Sequence, residues 1–111
     1  MKLVIDIEGL DRNALQRGLS AAMKVFTDKG ISPYDAQQGY FAMLGWDEAG
    51  FPQDGDFALS EQEAKESDTW LEATEAAIDA ACHDWPLEKR IQISEPLSIE
   101  MSAAERAQLG D

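Results

Sequence analysis

The amino-acid sequence predicts an α+β fold, in a single domain that spans residues 1–111. Apolar and polar residues alternate at the start of the chain, which is typical of a strand. Three later segments repeat apolar residues at intervals of three and four, and each follows a residue that caps helices. Alternation returns near the end. The predicted order is therefore a strand, three helices, one or two antiparallel strands and a short C-terminal helix.

The first two predicted elements are a strand and a helix. Apolar residues fall at alternate positions near the N-terminus, namely Leu3, Ile5 and Ile7, so the strand buries mainly one face. Asp11 is a capping residue, and the spacing after it predicts a first helix over 12–29 that ends at Gly30.

The second predicted helix begins at Ser32, where a capping side chain is followed by Pro33 and an acid in the first turn. It ends near Gly45. Its apolar residues form a surface wider than one stripe: Tyr34, Tyr40, Phe41, Met43 and Leu44. Two interpretations stay open, because this helix either lies at the centre of the fold or leaves an aromatic patch exposed.

An acidic loop over 46–59 is predicted next, because its glycines, proline and four acids break all periodicity. Phe51 and Phe57 are the residues expected to pin it to the core. Ser60 and Glu63 then form a capping box that opens the third helix. Its predicted apolar stripe is Ala64, Ser67, Leu71, Thr74, Ile78, Ala81 and Trp85, up to Pro86. The alanines at 73, 76, 77 and 80 are expected to face away from the core.

The last part of the chain predicts extended structure and a short helix. Apolar residues point the same way along a segment that Pro96 interrupts: Ile91, Ile93, Leu97, Ile99 and Met101. Ser102 and Glu105 repeat the capping-box pattern ahead of the helix that Gly110 closes.

The charge of the chain is −13, and it is strongly segregated. Residues 47–88 contain thirteen acids and one base, Lys65, whereas the flanking segments are close to neutral. One face should therefore be negative, attract basic partners and repel nucleic acid and anionic lipid. No apolar run suffices to span a bilayer, and a lone cysteine is usual in a reducing compartment, so a cytoplasmic location is expected.

Five acids of the third helix form the strongest candidate site. At 100° per residue they fall within about 60° of one another, and we call them the carboxylate row: Glu61, Asp68, Glu72, Glu75 and Asp79. Neighbours three or four residues apart lie about 5–6 Å from one another, close to the spacing of successive phosphates along a nucleic-acid strand. Asp54 and Asp56 of the loop are expected to support it. From Glu72 onward the repulsion within the row looks uncompensated. The other interpretation is a solvated helix face.

No pattern of catalysis, of cofactor binding or of metal binding is found in the sequence. Cys82, His83 and Asp84 are adjacent, so on a helix they point in different directions and form no catalytic unit. Cys82 is expected in the core and His83 in solvent. The acids of the 47–56 loop lack the spacing of a calcium-binding loop. The expectation is a binding protein without enzymatic activity, cofactor or metal.

The small size, single cysteine and carboxylate row resemble the phage- and plasmid-borne inhibitors of the anti-CRISPR and anti-restriction type. This resemblance implies a DNA mimic that blocks a basic nucleic-acid-binding surface, and a place in the host-cell cytoplasm if a phage encodes it. One alternative is an immunity or antitoxin protein that neutralises a cationic toxin. Another is a structural or adaptor subunit, including a homodimer, that uses Tyr34, Tyr40 and Phe41.

Overall fold

The computed structural model describes residues 1–47, 49–53 and 58–109 and confirms the α+β class. The elements follow one another as β1 (Lys2–Ile5), α1 (Arg12–Lys29), α2 (Pro33–Leu44), α3 (Glu61–Ala81), α4 (Leu87–Arg90), β2 (Leu97–Glu100) and α5 (Ala103–Leu109). The predicted order is thus found, with one addition. The short helix α4 lies between the predicted end of the third helix and the predicted extended segment, where no element was expected.

The two strands form an antiparallel sheet in which Lys2 is opposite Glu100 and Ile5 is opposite Leu97. Leu3 and Leu97 are buried and belong to the main apolar cluster. The ladder continues one step beyond the strands, because the N–H of Asp6 donates to the carbonyl of Pro96 at 2.9 Å. The sheet therefore covers one side of the helical core.

The prediction of a longer extended segment at the C-terminal side is wrong. Pro86 stands at the N-cap position of α4, in an extended conformation with φ −64° and ψ 152° and without a side-chain capping bond. The chain then turns, and Ile91 is left 72% exposed. Only the residues after Pro96 pair with β1. The predicted end of α3 at Pro86 is also late, because α3 ends at Ala81.

The starts and ends of α1 and α2 are the predicted ones. Asp11 accepts a hydrogen bond from the N–H of Ala14 at 2.8 Å, and Ser32 caps α2 through Asp35 N–H at 3.1 Å. Both helices end at a glycine in the left-handed region, Gly30 with φ 67° and Gly45 with φ 75°. A side chain would be strained in that conformation.

The central helix is α3, since both α1 and α2 pack against it, and α2 does not have that position. Two glycines allow the close approach. A Cβ at Gly18 would stand 2.9 Å from the Ala77 carbonyl oxygen, and a Cβ at Gly39 would stand 2.8 Å from that of Glu63. The residues of α3 that face Gly18, Ala77 and Ala81, are accordingly small.

The face of α3 that is buried differs from the predicted stripe. Ala73 and Ala77 are 0% exposed and Trp70 is 4% exposed, so the alanines face the core rather than away from it. Leu71 is exposed and Ile78 only half-buried. Leu71 and Ile78 lie about 80–100° from Trp70 around the helix, so they are at the edge of the core.

A chain of aromatic rings connects the core with the surface beside α2. Trp70 is the central ring, with its centroid 6.0 Å from that of Phe26 and 6.3 Å from that of Tyr40. Tyr40 is 6.4 Å from Phe41, and Phe41 is 5.7 Å from Trp46. The aromatic residues of α2 are thus largely used inside the molecule.

None of the helices in the described ranges combines the length and the apolarity needed to cross a membrane.

Candidate functional site

The carboxylate row lies on the outward face of α3. The capping box predicted at its start is present: Glu63 N–H donates to Ser60 Oγ, and Ser60 N–H donates to Glu63 Oε1, both at 3.0 Å. The helix then continues for 21 residues. All five members of the row are exposed, on the side opposite Trp70. With a rise of 1.5 Å per residue, the row is about 27 Å long.

Two members of the row are compensated by cations, contrary to the expectation of uncompensated repulsion. Lys29 Nζ, at the end of α1, lies 3.5 Å from Glu72 Oε2. Arg90 Nη1, in α4, lies 3.2 Å from Asp79 Oδ1. The Glu72 and Asp79 side chains remain 54% and 60% exposed. These ion pairs are therefore screened by water and reduce the negative potential without removing it.

Three members of the row, Glu61, Asp68 and Glu75, carry their charge without an ion pair in the described part of the chain. Among the ion pairs of the described residues, none of the three has a cationic partner within 4.0 Å. A depression beside the N-terminal half of the row includes Lys29 and Lys65 together with Glu61, Asp68 and Glu72, so the charge there is mixed. Glu75 is the member of the row that neither lines this depression nor takes part in an ion pair of the described residues.

The loop acids Asp54 and Asp56 lie outside the described residues, and so does Phe57. Phe51 is 65% exposed, so the prediction that it pins the loop is wrong. The loop is held through Trp46 instead. The backbone N–H of Trp46 donates to the Phe41 carbonyl at 2.8 Å. The Trp46 ring lies against the Phe41 ring, and the Trp46 backbone forms an isolated β-bridge with Pro52.

A groove on the opposite side of α3 was not predicted. It lies between α2, the loop and the first turns of α3, and we call it the aromatic–acidic groove: Tyr34, Trp46, Asp47, Gln53, Glu63 and Glu66. Its volume is about 510 Å³, and an adjoining depression of about 370 Å³ continues it to Leu59. The signal for this groove in the sequence is Gly45, which ends a helix, followed by Trp46 and Asp47. This order places an aromatic ring next to an acidic side chain.

The residues considered for catalysis have ordinary structural places. Cys82 is 0% exposed, as expected, and burial, followed by the Asp84 carboxylate, raises the pKa of its thiol, although Arg90 and Lys89 act in the other direction. A raised pKa disfavours the reactive thiolate. His83 is exposed. Within the described ranges, no three His, Cys, Asp or Glu side chains are arranged to hold a metal ion.

The fold and this surface define a small α+β protein with carboxylates along the outward face of its central helix. Comparison of the chain with protein-family models, with curated proteins and with solved structures found no match. What the protein binds must therefore be inferred from the chemistry of its surfaces.

Proposed function

We propose that the protein is an inhibitor that binds a basic, nucleic-acid-binding surface of another protein, in the manner of anti-CRISPR and anti-restriction proteins, and acts in the cytoplasm. The observation that supports this proposal is the exposed carboxylate row on α3. Its charges follow one another along a rigid rod, as phosphates do along a nucleic-acid strand. A basic groove shaped for a phosphate backbone offers the complementary charge.

The distribution of cations around α3 supports contact through the outward face. Lys29 of α1 and Arg90 of α4 pair with Glu72 and Asp79. Asp68 and Glu75, each about one helical turn before a paired member, are exposed to a partner. Complementary charge between such a face and its partner mainly increases the association rate, and this increase becomes smaller as salt is added.

The test is a charge reversal at Asp68 and Glu75, two of the three members of the row that have no ion pair among the described residues. Asp68→Lys/Glu75→Lys is compared with Glu8→Lys/Asp35→Lys, which changes the net charge equally at exposed sites outside α3. Each immobilised protein captures partners from a bacterial host lysate at about 50 and 500 mM NaCl, where the Debye length falls from roughly 14 to 4 Å. The captured protein is then assayed for DNA binding with and without the inhibitor.

The expected result is that wild type and the Glu8/Asp35 variant displace DNA from the captured protein at low salt, whereas the Asp68/Glu75 variant does not. Thermal melting of all three proteins checks that the fold is intact. If the Asp68/Glu75 variant captures its partner and displaces DNA as well as wild type does, the row is a solvated face and the proposal is wrong.

The alternatives are separated by the same assay. An immunity or antitoxin protein would capture a cationic toxin and abolish its toxicity without competing for DNA. An adaptor that uses Tyr34, Tyr40 and Phe41 would keep its partner at high salt, because apolar contacts are not screened. The adaptor has less support, since Tyr40 stacks on Trp70 and Phe41 contacts Trp46 inside the molecule.

A further inference from the structure

We propose that the aromatic–acidic groove is a second binding site, which takes an arginine or lysine side chain from a basic and partly apolar segment of a protein partner. It is formed by other residues than the carboxylate row. On the helical wheel Glu63 and Glu66 lie about 150° or more from the centre of that row. The inference is therefore independent of the function proposed for the outward face.

Hydrogen bonds connect the described residues of the loop on one side of the groove. The Gln53 N–H donates to the Gly45 carbonyl at 2.9 Å, and the Asp47 N–H donates to the Phe51 carbonyl at 2.8 Å. Asp47 Oδ1 in turn accepts from the N–H groups of Ala49 and Phe51, both at 3.0 Å. These bonds hold the Trp46 ring and the Asp47 carboxylate in place before any partner arrives, which lowers the entropy cost of binding.

The α3 side of the groove is equally fixed. Glu63 Oε1 is held by the capping box, and the Cβ of Glu66 packs where α2 crosses at Gly39. Three carboxylates thus line one depression, and its described lining residues include no lysine, arginine or histidine. The depression beside the carboxylate row differs, because two lysines contribute to it.

Aromatic rings next to carboxylates select a cation. A guanidinium or ammonium group gains from the ring face as well as from the charge, and more so in a concave site with less water. The continuation of the groove is mixed, because Ala58 and Leu59 line it together with Gln53 and Glu63. A neighbouring apolar side chain of the same segment fits there. Nucleic acid and a second copy of this chain are disfavoured, because phosphates and a protein of charge −13 are both repelled.

The experiment uses the full chain and a labelled peptide, acetyl-(Gly-Arg-Leu)4-amide. Its reference is the same peptide with citrulline, a neutral side chain of nearly the same shape, in place of arginine. Binding is measured by fluorescence anisotropy. The ¹H–¹⁵N spectrum follows the indole N–H signals of Trp46, Trp70 and Trp85 during titration, and Trp46→Phe identifies the first of them.

We expect the arginine peptide to shift the Trp46 indole signal and to leave that of buried Trp70 in place. Glu66→Gln, which keeps the side-chain shape against Gly39, should weaken binding about fivefold, as loss of a charge contact worth about 1 kcal/mol would. The matched control Glu75→Gln, with the same charge change in the row, should weaken it less than about twofold.

Three results would overturn the inference: an unmoved Trp46 signal, equal weakening by Glu66→Gln and Glu75→Gln, or equally tight binding of the citrulline peptide. Failure here leaves the proposed inhibitor function standing, since that function is tested at Asp68 and Glu75. Conversely, loss of DNA competition in the lysate assay does not affect the peptide titration.

Discussion

Two glycines set the distance between the helices. At Gly39 an added Cβ would lie 2.3 Å from the Cβ of Glu66, and at Gly18 it would lie 2.7 Å from Cδ1 of Ile5. At an exposed helix position, replacing glycine with alanine raises the free energy of unfolding by about 1 kcal/mol. At these crossings the same replacement should lower it, because the added methyl group would push the packed elements apart.

Gly39→Ala is therefore expected to lower the free energy of unfolding by about 1–3 kcal/mol, the usual cost of overpacking. Urea denaturation measures it. Ser20→Ala, at an exposed position within α1, is the control and should be neutral or slightly stabilising. A stabilised Gly39→Ala variant would show that α2 can move away from α3 at little cost.

Tyr40 couples stability to alkaline pH. Its hydroxyl donates to Glu95 Oε1 at 3.3 Å, and burial, followed by the Glu95 carboxylate, raises the pKa of Tyr40 above its ordinary value of 10.0. A raised folded-state pKa means that the folded protein holds this proton more tightly than the unfolded chain does. The corresponding stability is fully present below pH 10 and is lost as the pH rises through the folded-state pKa.

Tyr40→Phe should accordingly lose less stability than wild type between about pH 9 and pH 11, since only the phenol titrates there at this site. Chemical denaturation at the two pH values gives the comparison. Tyr34→Phe is the control for tyrosine ionisation in general, because it removes the other tyrosine hydroxyl of the chain. Identical alkaline losses in wild type and Tyr40→Phe would contradict the assignment.

At the scale of elements, the helix starts were predictable because caps are local signals. The Ser60–Glu63 box and the Ser32-Pro33 start are both found where the sequence placed them. The buried face of α3 was not predictable in the same way. Leu71 and Ile78 are the larger apolar residues, but the glycines of α1 and α2, distant in sequence, select the alanine face.

The capping box of α3 is expected to matter for the whole molecule, because α1 and α2 both pack on this helix. Ser60→Ala should cost about 1 kcal/mol of unfolding free energy, the typical value for an N-cap. Ser102→Ala removes the same Oγ acceptor from the box at α5, a helix of 7 residues, and should cost less. Equal losses would mean that α5 is as important for stability as α3.

The helix α4 was missed for a specific reason. The sequence indicates Pro86 as the end of the third helix, but α3 ends at Ala81 and Pro86 is the residue before α4. The apolar residues after it then suggested a strand. Arg90 within this helix reaches Asp79, and Lys89 Nζ lies 4.0 Å from the centroid of the Trp85 ring. The Arg90–Asp79 contact joins residues 11 positions apart, so it leaves no periodic signal in the sequence.

At the scale of the whole molecule, the net charge of −13 opposes compactness. The ion pairs of Glu72 and Asp79 offset only part of this repulsion, and both carboxylates are exposed.

Raising NaCl from about 0.02 to 0.5 M shortens the Debye length to roughly 4 Å and should raise the Tm by about 4 °C, which corresponds to about 1 kcal/mol. The variant Asp68→Asn/Glu75→Gln has less internal repulsion, so its Tm should rise less with salt than the Tm of wild type. A Tm that falls with salt would show that ion pairs outweigh the repulsion.

The two candidate surfaces differ in how far a sequence can predict them. The carboxylate row belongs to one helix, so its spacing alone places Asp68 and Glu75 on a common face. The aromatic–acidic groove joins α2, the loop and α3, and its rings and carboxylates meet only through the packing at Gly39. The carboxylates at 47, 63 and 66 appear in the sequence merely as part of a general acidity.

The antiparallel ladder has a consequence for the order of folding events. Pairing Ile5 with Leu97 closes a loop of about 90 residues, with an entropic cost of about 4 kcal/mol from length alone. The contacts of α3 with its neighbours in sequence close shorter loops and should form first.

Ile99→Val should therefore mainly accelerate unfolding, with a φ-value near 0, whereas Ala73→Gly should slow folding. Stopped-flow chevron plots distinguish the two effects, and slower folding of Ile99→Val would place the sheet in the folding nucleus.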